Sequence, residues 1–294
     1  MATETWTVLK ILTWTKEYLA GKGVDNARLE AEWLLSSALG LDRVGLYVNF
    51  EKPLTDAELA LFRGMVTRRA RREPLQYILG TQEFMGLEFE TTPAALIPRH
   101  DTETLVEEAL KRGDGAKKIL DIGVGSGCIA VALAIKLPGA ELFGVEQSMA
   151  ALELAQRNAT KHGVVVTLKQ GSLFDPFNGE RFDLVVSNPP YITAAEFAAL
   201  QPEVRDYEPK EALEGGVDGL DFYRSIIPAA PDHLRPGGWL LFEVGIGQTE
   251  RVLGLFAGTG RFEDLFTAKD PAGIERVVGG RLAGKSESRA PDYN

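Results

Sequence analysis

The sequence predicts an α/β protein in which a small helical bundle precedes a doubly wound, mostly parallel sheet. Three observations carry this prediction. Apolar residues in the first part of the chain fall at helical spacing. From about residue 117, short apolar runs alternate with amphipathic stretches, as in repeated βα units. The last two apolar runs are separated only by Lys269–Gly273, too short for a helical crossover, so they should form an antiparallel hairpin.

The first 75 residues are expected to be helical. One helix should begin after Asp25 as its N-cap and end at Gly40. Its apolar face contains Leu29, Trp33, Leu34 and Ala38. Thr55 and Glu58 have the spacing of a capping box that starts another helix, whose apolar positions are Leu59, Phe62 and Val66. Pro74 should end the helical pattern.

The later part of the chain should contain a short hairpin or linker, around Gly80 and Gly86, and then the sheet. The predicted strands of the sheet are Lys118–Asp121, Glu141–Val145, Val164–Lys169, Phe182–Ser187, Trp239–Val244, Phe262–Ala268 and Ile274–Val278. The predicted divisions are a helical domain (1–75), a hairpin and linker (76–100), a sheet domain (101–280) and a frayed polar tail (281–294).

Composition excludes several classes of protein. Hydrophobic residues make up 45% and charged residues 25% of the 294 residues, as in a globular protein. The single cysteine, Cys128, cannot form an internal disulfide, and three scattered histidines do not form a zinc-ligand set, so we expect no metal. Without a signal-peptide pattern or an apolar run of about 18 residues, we expect a cytoplasmic protein without membrane association.

The charge distribution argues against a surface that binds nucleic acid. The net charge is −10, and the residues after position 80 contain 21 basic and 32 acidic side chains. A phosphate backbone requires the opposite sign. One local exception is a basic cluster that could contact RNA or an acidic partner, although a solvated helix face is the more ordinary interpretation. The cluster consists of Arg63, Arg68, Arg69, Arg71 and Arg72.

A glycine-rich segment follows the first predicted strand of the sheet: Asp121-Ile122-Gly123-Val124-Gly125-Ser126-Gly127. Its alternate glycines let the backbone turn sharply and approach a bound nucleotide. The spacing differs from that of nicotinamide dinucleotide sites, and the lysine of a P-loop is missing. The loop fits S-adenosylmethionine better, because the amino-acid portion of that cofactor must be cradled there. A glycine-rich turn without a ligand is the alternative.

Glu146 stands at the end of the second predicted strand, about twenty residues beyond the glycine loop. A carboxylate at this position can accept hydrogen bonds from both hydroxyls of a ribose. It would repel a cofactor with a 2′-phosphate. A solvated glutamate is the ordinary alternative, so the interpretation depends on the register with the glycine loop.

The fourth predicted strand ends in Asn188-Pro189-Pro190-Tyr191, our candidate catalytic residues. The prolines remove two backbone donors, which leaves the Asn188 side-chain carbonyl and the Pro189 backbone carbonyl as acceptors. Such a pair suits an NH2 group whose two N–H bonds must be held while the nitrogen lone pair turns towards an electrophilic methyl group. Tyr191 could stack on a planar substrate group. A rigid structural turn is the alternative.

Together these sites resemble the N-P-P-Y class of S-adenosylmethionine-dependent amino methyltransferases. Flanking segments are similar to those of the HemK/PrmC family, the peptide chain release factor glutamine N5-methyltransferases. These segments are Leu96–Glu103, Glu208-Pro209, Ala212-Leu213, Gly215-Gly216, Asp218–Leu220 and Asp270–Arg276. The resemblance covers about residues 5–280 and implies a class I methyltransferase fold. It also implies a helical domain that binds the protein substrate.

The resemblance also implies roles for single residues. It puts the cofactor on Gly123–Gly127, Glu146, Leu173 and Asn188, puts the substrate amide on Asn188–Tyr191, and lays Ile97–Glu103 over the cofactor. Three residues depart from the family pattern: His100 replaces a proline, Glu146 the commoner aspartate, and Ser172 a usual aspartate. The first makes the loop less rigid, and the second gives the carboxylate a longer side chain. The third removes a carboxylate from the adenine amino group, which leaves backbone groups and Leu173 to contact the base.

The resemblance therefore implies methyl transfer to the glutamine side-chain amide in the Gly-Gly-Gln loop of a class I release factor. Three alternatives remain open. The substrate could be a glutamine of a ribosomal protein, or an exocyclic amine of a nucleic acid, which the same N-P-P-Y geometry could serve. The chain could also be a cofactor-binding partner protein without activity.

Overall fold

The computed structural model describes residues 5–284. Within that range the α-helices are α1 (Val8–Ala20), α2 (Ala27–Leu39), α3 (Arg43–Val48), α4 (Asp56–Ala70), α5 (Leu75–Leu79), α6 (Glu103–Arg112), α7 (Cys128–Lys136), α8 (Met149–Lys161), α9 (Ala194–Ala199), α10 (Pro202–Tyr207), α11 (Asp221–His233) and α12 (Thr249–Thr259). The strands are β1 (Thr81–Phe84), β2 (Leu87–Glu90), β3 (Lys118–Ile122), β4 (Glu141–Glu146), β5 (Val166–Gln170), β6 (Phe182–Ser187), β7 (Leu234–Glu243), β8 (Phe262–Lys269) and β9 (Glu275–Leu282).

One compact unit contains the chain up to Thr81 together with Gln201–Tyr207. Its helices enclose an apolar core that includes Leu34, Leu46 and Phe62. The predicted capping box at the start of α4 is confirmed, because the Thr55 and Glu58 side chains each accept a hydrogen bond from the other residue's backbone N–H. This unit is therefore built mainly by amphipathic helices, as the apolar spacing predicted.

Details of the helical predictions need correction. The α2 helix begins at Ala27 with Asn26, not Asp25, as its N-cap, whereas the predicted end at Gly40 is confirmed by a left-handed φ of 64°. Trp33 is exposed, because the buried face of α2 is turned towards Ala31, Leu34 and Leu35 instead.

The segment predicted as a hairpin or linker contains a helical turn as well. The α5 helix follows Pro74, and the β1–β2 hairpin begins only at Thr81. The hairpin turn is at Met85 and Gly86, both with positive φ, which matches the twist of the flanking strands. The helical turn was missed because residues 76–79 are too few to show a period.

The basic cluster is largely neutralised inside the helical unit. Three of its five arginines are paired with carboxylates: Arg68 with Glu73, Arg69 with Glu30 and Glu203, and Arg72 with Glu203. Arg69 is buried, so its partners replace the water that its guanidinium loses on folding. These three arginines therefore have a structural role that neither interpretation of the cluster anticipated.

The second compact unit contains the predicted sheet. Its strand order is β5-β4-β3-β6-β7-β9-β8, and all neighbours are parallel except β9, which is antiparallel to both β7 and β8. The doubly wound sheet with a C-terminal antiparallel hairpin is thus confirmed. Successive residues of β3, Ile119 and Leu120, belong to two different apolar clusters, because alternate side chains point to opposite faces of a sheet.

Strand boundaries differ most at the end of the sheet. The β7 strand begins at Leu234, before the predicted start at Trp239, and β9 continues to Leu282. The first residues of the predicted frayed tail are therefore paired in the sheet. Residues 285–294 of that tail lie outside the described residues.

The strand order brings three loops together. The chain runs outwards from β3 to β4 and β5, then returns to β6 on the other side of β3. Ile122 of β3 pairs with Val145 of β4 and with Ser187 of β6, so these residues form one row at the carboxyl ends of the strands. Ligands of open α/β sheets bind at such a reversal of strand order.

Candidate active site

A cavity of about 630 Å³ opens at this end of the sheet. The residues that immediately follow the row of three strand ends, Gly123, Glu146 and Asn188, all lie in its wall. Each belongs to one of the three motifs that the sequence singled out. The topology therefore brings the motifs into a single concave site.

The glycine loop has the backbone conformation that its sequence predicted. Gly123, Gly125 and Gly127 have φ values of +75°, +53° and +84°, a region that other residues rarely adopt. The N–H groups of Gly123 and Val124 donate hydrogen bonds of 2.9 and 3.1 Å to the Val145 carbonyl. The loop is thus held against β4 while its other side, with Val124 and Ser126, lines the cavity.

Two of the glycines have different steric surroundings. A Cβ at Gly123 would have no atom within 4 Å, because that position opens into the cavity. A Cβ at Gly127 would lie 3.1 Å from both the Cα and the Cβ of Ala155 in α8. Gly123 therefore keeps the cavity open, whereas Gly127 allows α7 to begin close to α8.

The carboxylate of Glu146 lies in the cavity wall and also holds the glycine loop. One oxygen, Oε2, accepts a 3.2 Å hydrogen bond from the backbone N–H of Gly125. The other, Oε1, accepts hydrogen bonds of 2.8 and 3.0 Å from the N–H groups of Gln147 and Ser148. A carboxylate has about four lone-pair sites, so these three contacts leave one, on Oε2, for the predicted ribose.

Two buried groups behind the loop have strongly shifted pKa values. Burial, together with the charge of Glu146, raises the pKa of the Asp121 carboxyl to about 7. Burial also raises the pKa of the Cys128 thiol to about 12, so this cysteine is a neutral wall group rather than a nucleophile. Neither Asp121 oxygen has a hydrogen-bond partner among the described residues.

The N-P-P-Y turn contributes Asn188, Pro189 and Pro190 to the cavity wall. The Asn188 side-chain Nδ2 donates a 3.1 Å hydrogen bond to Oγ1 of Thr102. Its side-chain carbonyl is therefore the group left for a ligand. The predicted acceptor role of Asn188 is compatible with this orientation.

Tyr191 is placed differently from its neighbours in the turn. Its side chain is not among the residues that line the cavity, and its hydroxyl donates a 3.1 Å hydrogen bond to Oε1 of Glu243. Burial and the charge of Glu243 raise the pKa of the Tyr191 hydroxyl well above its ordinary value. Tyr191 is thus a neutral donor that fastens the turn to β7, and stacking on a substrate stays a prediction.

The segment predicted to cover the cofactor forms another part of the wall. Ile97, Pro98, Arg99 and Thr102 line the cavity. Glu208 holds this segment, because its carboxylate accepts hydrogen bonds from the Ile97 backbone N–H and the Arg99 guanidinium. Glu208 lies in one of the segments that resemble the family, but the sequence alone indicated no role for its side chain.

Two of the departures from the family pattern can be located in the structure. The His100 side chain is 70% exposed and lies 3.5 Å from a Glu103 carboxylate oxygen, on the outside of the segment. Ser172 is followed by Leu173, which lines the cavity in a left-handed conformation with a φ of 50°. Such strain in a residue other than glycine is typical of functional sites.

The cavity fits S-adenosylmethionine in size and in chemistry. Its volume lies in the range of small-molecule sites. The open space beside Gly123 allows close approach to the backbone, and the Glu146 carboxylate suits a ribose. Apolar wall groups such as Leu173 and Phe222 suit a base. Among residues 5–284 no cluster of three or more potential metal ligands occurs, and no helix is long and apolar enough to cross a bilayer.

Comparisons with known proteins agree with the fold and the class of protein. The sequence matches the family models for the PrmC N-terminal domain at residues 10–80 and the methyltransferase small domain at residues 100–202. A methyltransferase from Pyrococcus furiosus has a TM-score of 0.52 and 22% identity, covering 74% of this chain and 98% of that one. The hMettl16 catalytic domain, in complex with a 3′UTR hairpin, has a TM-score of 0.56 and 16% identity, covering 77% of this chain and 84% of that one.

Fold and site together define a class I methyltransferase that uses S-adenosylmethionine as methyl donor. The release factor glutamine methyltransferase of Geobacter sulfurreducens is 69% identical over 279 residues, which cover 95% of this chain and 98% of that relative. The enzyme of the same name from Moorella thermoacetica is 45% identical over 88% of this chain and 92% of its own length. The chain belongs to the release factor glutamine methyltransferase family.

Proposed function

We propose that this protein methylates the side-chain amide nitrogen, N5, of the glutamine in the Gly-Gly-Gln motif of class I peptide chain release factors. The observation that carries the proposal is the orientation of Asn188. Its Nδ2 donates a hydrogen bond to Thr102, so its side-chain carbonyl can accept a hydrogen bond from an N–H group of a primary amide in the cavity. The names of the relatives with 69% and 45% identity support the same substrate.

The chain's own residues orient the reacting amide. S-adenosylmethionine supplies a methyl group on a positively charged sulfur when it is bound. The Asn188 side-chain carbonyl and the Pro189 backbone carbonyl each accept a hydrogen bond from one N–H group of the substrate amide. These two hydrogen bonds turn the nitrogen lone pair towards that methyl group. Transfer of the methyl group breaks its bond to sulfur and leaves the amide nitrogen with two hydrogens and a positive charge. This cation is acidic enough to lose one proton to water, which gives the neutral N-methyl amide, so the step does not require a general base.

The cofactor roles are assigned residue by residue. Gly123, Val124, Gly125, Ser126 and Gly127 form the backbone cradle for the amino-acid portion. Glu146 accepts hydrogen bonding from the ribose, and Leu173 contacts the base. These assignments are supported by the position of the residues, because all of them except Gly127 line the same cavity.

We infer that the helical unit binds the protein substrate, as the resemblance implies. Large apolar side chains exposed on this unit support the assignment: Trp14, Trp33, Leu61 and Val48. Solvent-exposed aromatic and aliphatic groups of this kind favour protein contacts over contacts with a phosphate backbone. We also infer a cytoplasmic location, where a translation factor would be encountered.

Charge supports a protein substrate rather than a nucleic acid. The whole chain carries a net charge of −10, and three arginines of the basic cluster are already paired with carboxylates. We therefore expect no stable nucleic-acid binding. Submicromolar retention of random duplex DNA or RNA in a mobility-shift assay at low salt would favour the nucleic-acid alternative instead.

Asn188→Ala tests the proposal through single-turnover methylation of a release factor, with the product located by peptide mass mapping. Loss of one preorganised contact of this kind lowers the rate by roughly 10²–10³-fold. Cofactor affinity should change much less, because the glycine loop and Glu146 are untouched. Asn188→Asp should be nearly as damaging, since it replaces a neutral acceptor by a charged one. Asn178→Ala, the same change at an exposed position, is the matched control.

Two results would contradict the proposal. Turnover near the wild-type rate in a stable Asn188→Ala protein would remove the central role of this side chain. Methyl incorporation by the wild type into a ribosomal protein, but not into a release factor, would favour that alternative substrate.

A further inference from the structure

The side chain of Asn188 is held by a residue from another element. Thr102 lies at the start of α6 and is almost completely buried. It occupies the N-cap position, where a threonine hydroxyl normally accepts a hydrogen bond from the helix backbone. Here its side chain makes no such cap, and Oγ1 instead accepts the hydrogen bond from Nδ2 of Asn188.

A second buried group lies beyond Thr102. Glu243, at the end of β7, is only 1% exposed. Its Oε1 accepts the hydrogen bond from Tyr191, and the Tyr223 hydroxyl donates a 2.8 Å hydrogen bond to its backbone carbonyl. Burial raises the pKa of the Glu243 carboxyl to about 7, an effect that the neighbouring Thr102 and Tyr191 hydroxyls partly offset. Its second oxygen, Oε2, has no hydrogen-bond partner among the described residues, which leaves it as an acceptor for the Thr102 hydroxyl proton.

The direction of these hydrogen bonds determines which end of the amide faces the cavity. A hydroxyl that points its proton towards Glu243 presents only lone pairs to Asn188. The NH2 end of Asn188 must then face Thr102, and the carbonyl end must face the ligand. A rotation of the amide by 180° would turn an NH2 group towards the NH2 group of the substrate, where neither could accept.

We propose that Thr102 is a positioning residue for methyl transfer, and that its hydroxyl sets the Asn188 side-chain amide in the orientation that accepts a substrate N–H. The expected effect on the rate of methyl transfer rests on the proposed function. The hydrogen bond itself can be measured without any substrate.

Thr102→Val removes the hydroxyl and keeps the shape of the side chain. In single-turnover methylation at saturating cofactor, we expect the rate to fall about tenfold, the effect of one ordinary hydrogen bond. We expect KM for the release factor to change much less. Thr102→Ser should restore the rate. Thr104→Val, the same change at another buried threonine in α6, is the matched control.

A double-mutant cycle separates positioning from a general structural effect. If Thr102 acts through Asn188, Thr102→Val should cause no further loss of rate in an Asn188→Ala protein. A tenfold loss in both backgrounds, accompanied by a lower melting temperature, would overturn the proposal. An unchanged rate in Thr102→Val would overturn it as well.

The substrate-free measurement uses ¹⁵N-labelled protein. The Asn188 NH2 signals are identified by their loss in Asn188→Ala, and their exchange with water should be slower in the wild type and Thr102→Ser than in Thr102→Val. Equal exchange in all three proteins would overturn the proposal even if no substrate is methylated. Absence of wild-type turnover together with the expected exchange difference would count against the proposed substrate, and would leave the positioning of Asn188 supported.

Discussion

Gly127 and Gly123 provide a comparison that separates backbone strain from steric crowding. Both have left-handed φ values, +84° and +75°, so alanine at either position carries a similar conformational cost of about 1–2 kcal/mol. Only at Gly127 does the new Cβ meet other atoms, the Cα and Cβ of Ala155 at 3.1 Å. Crowding in a packed interior typically costs a further 1–3 kcal/mol or so. Gly123→Ala should therefore lose about 1–2 kcal/mol of unfolding free energy, and Gly127→Ala about 2–5 kcal/mol.

The assay must report on the sheet unit alone. The chain has four tryptophans, and only Trp239 belongs to the sheet. Replacing Trp6, Trp14 and Trp33 with phenylalanine leaves Trp239 fluorescence as the reporter of urea unfolding in the ligand-free protein. Equal losses in the two alanine variants would show that α8 moves away from residue 127 without cost. No loss in Gly123→Ala would refute the argument from left-handed strain.

Three further predictions follow from single contacts. Glu146→Ala should weaken S-adenosylmethionine binding by roughly 1.5–3 kcal/mol in titration calorimetry, and an unchanged dissociation constant would mean that the ribose is held elsewhere. Arg69→Ala removes the ion-pair partner of Glu30 and one of the two partners of Glu203, and should destabilise the helical unit by about 3–5 kcal/mol. Arg205→Ala at an exposed pair should cost less than about 1 kcal/mol, and similar losses for the two variants in urea unfolding would contradict this. Because the pKa of Asp121 is raised to about 7, its contribution to stability is complete below about pH 4 and is lost as the pH rises through 7. Between pH 5 and 8 the wild type should therefore lose roughly 2.5 kcal/mol more unfolding free energy than Asp121→Asn. Parallel pH profiles of unfolding would show that the buried carboxyl does not titrate in this range.

Local sequence patterns predicted the strands and caps for physical reasons that the structure makes visible. The short strands β3, β4 and β6 are mostly apolar on both faces, because both faces of a parallel sheet are covered. The Thr55 capping box depends only on residues three apart. Where two neighbouring residues can both cap, as Asp25 and Asn26 can, the sequence does not decide the boundary.

Interactions between distant residues could not be predicted in the same way. Arg69 and Glu203 are 134 positions apart, and nothing in the local pattern of either shows that they pair. Burial of an arginine is itself unusual, so a solvated face was the natural interpretation of the basic cluster. Trp33 shows the opposite error, because helical spacing gives the period of an apolar face but not the direction in which a single aromatic residue points.

The candidate site divides into a part that topology determines and a part that it does not. Gly123, Glu146 and Asn188 each follow one residue of the row formed by Ile122, Val145 and Ser187, so parallel pairing alone brings their backbones together. Pairing of strands cannot decide which end of the Asn188 amide faces the cavity, because both ends occupy nearly the same volume. That choice requires a hydrogen-bond acceptor on another element. Thr102, 86 positions earlier in the chain, has its hydroxyl oxygen beside Nδ2. On our proposal, the orientation of the Asn188 amide therefore depends on one hydroxyl that lies outside both the glycine loop and the N-P-P-Y turn.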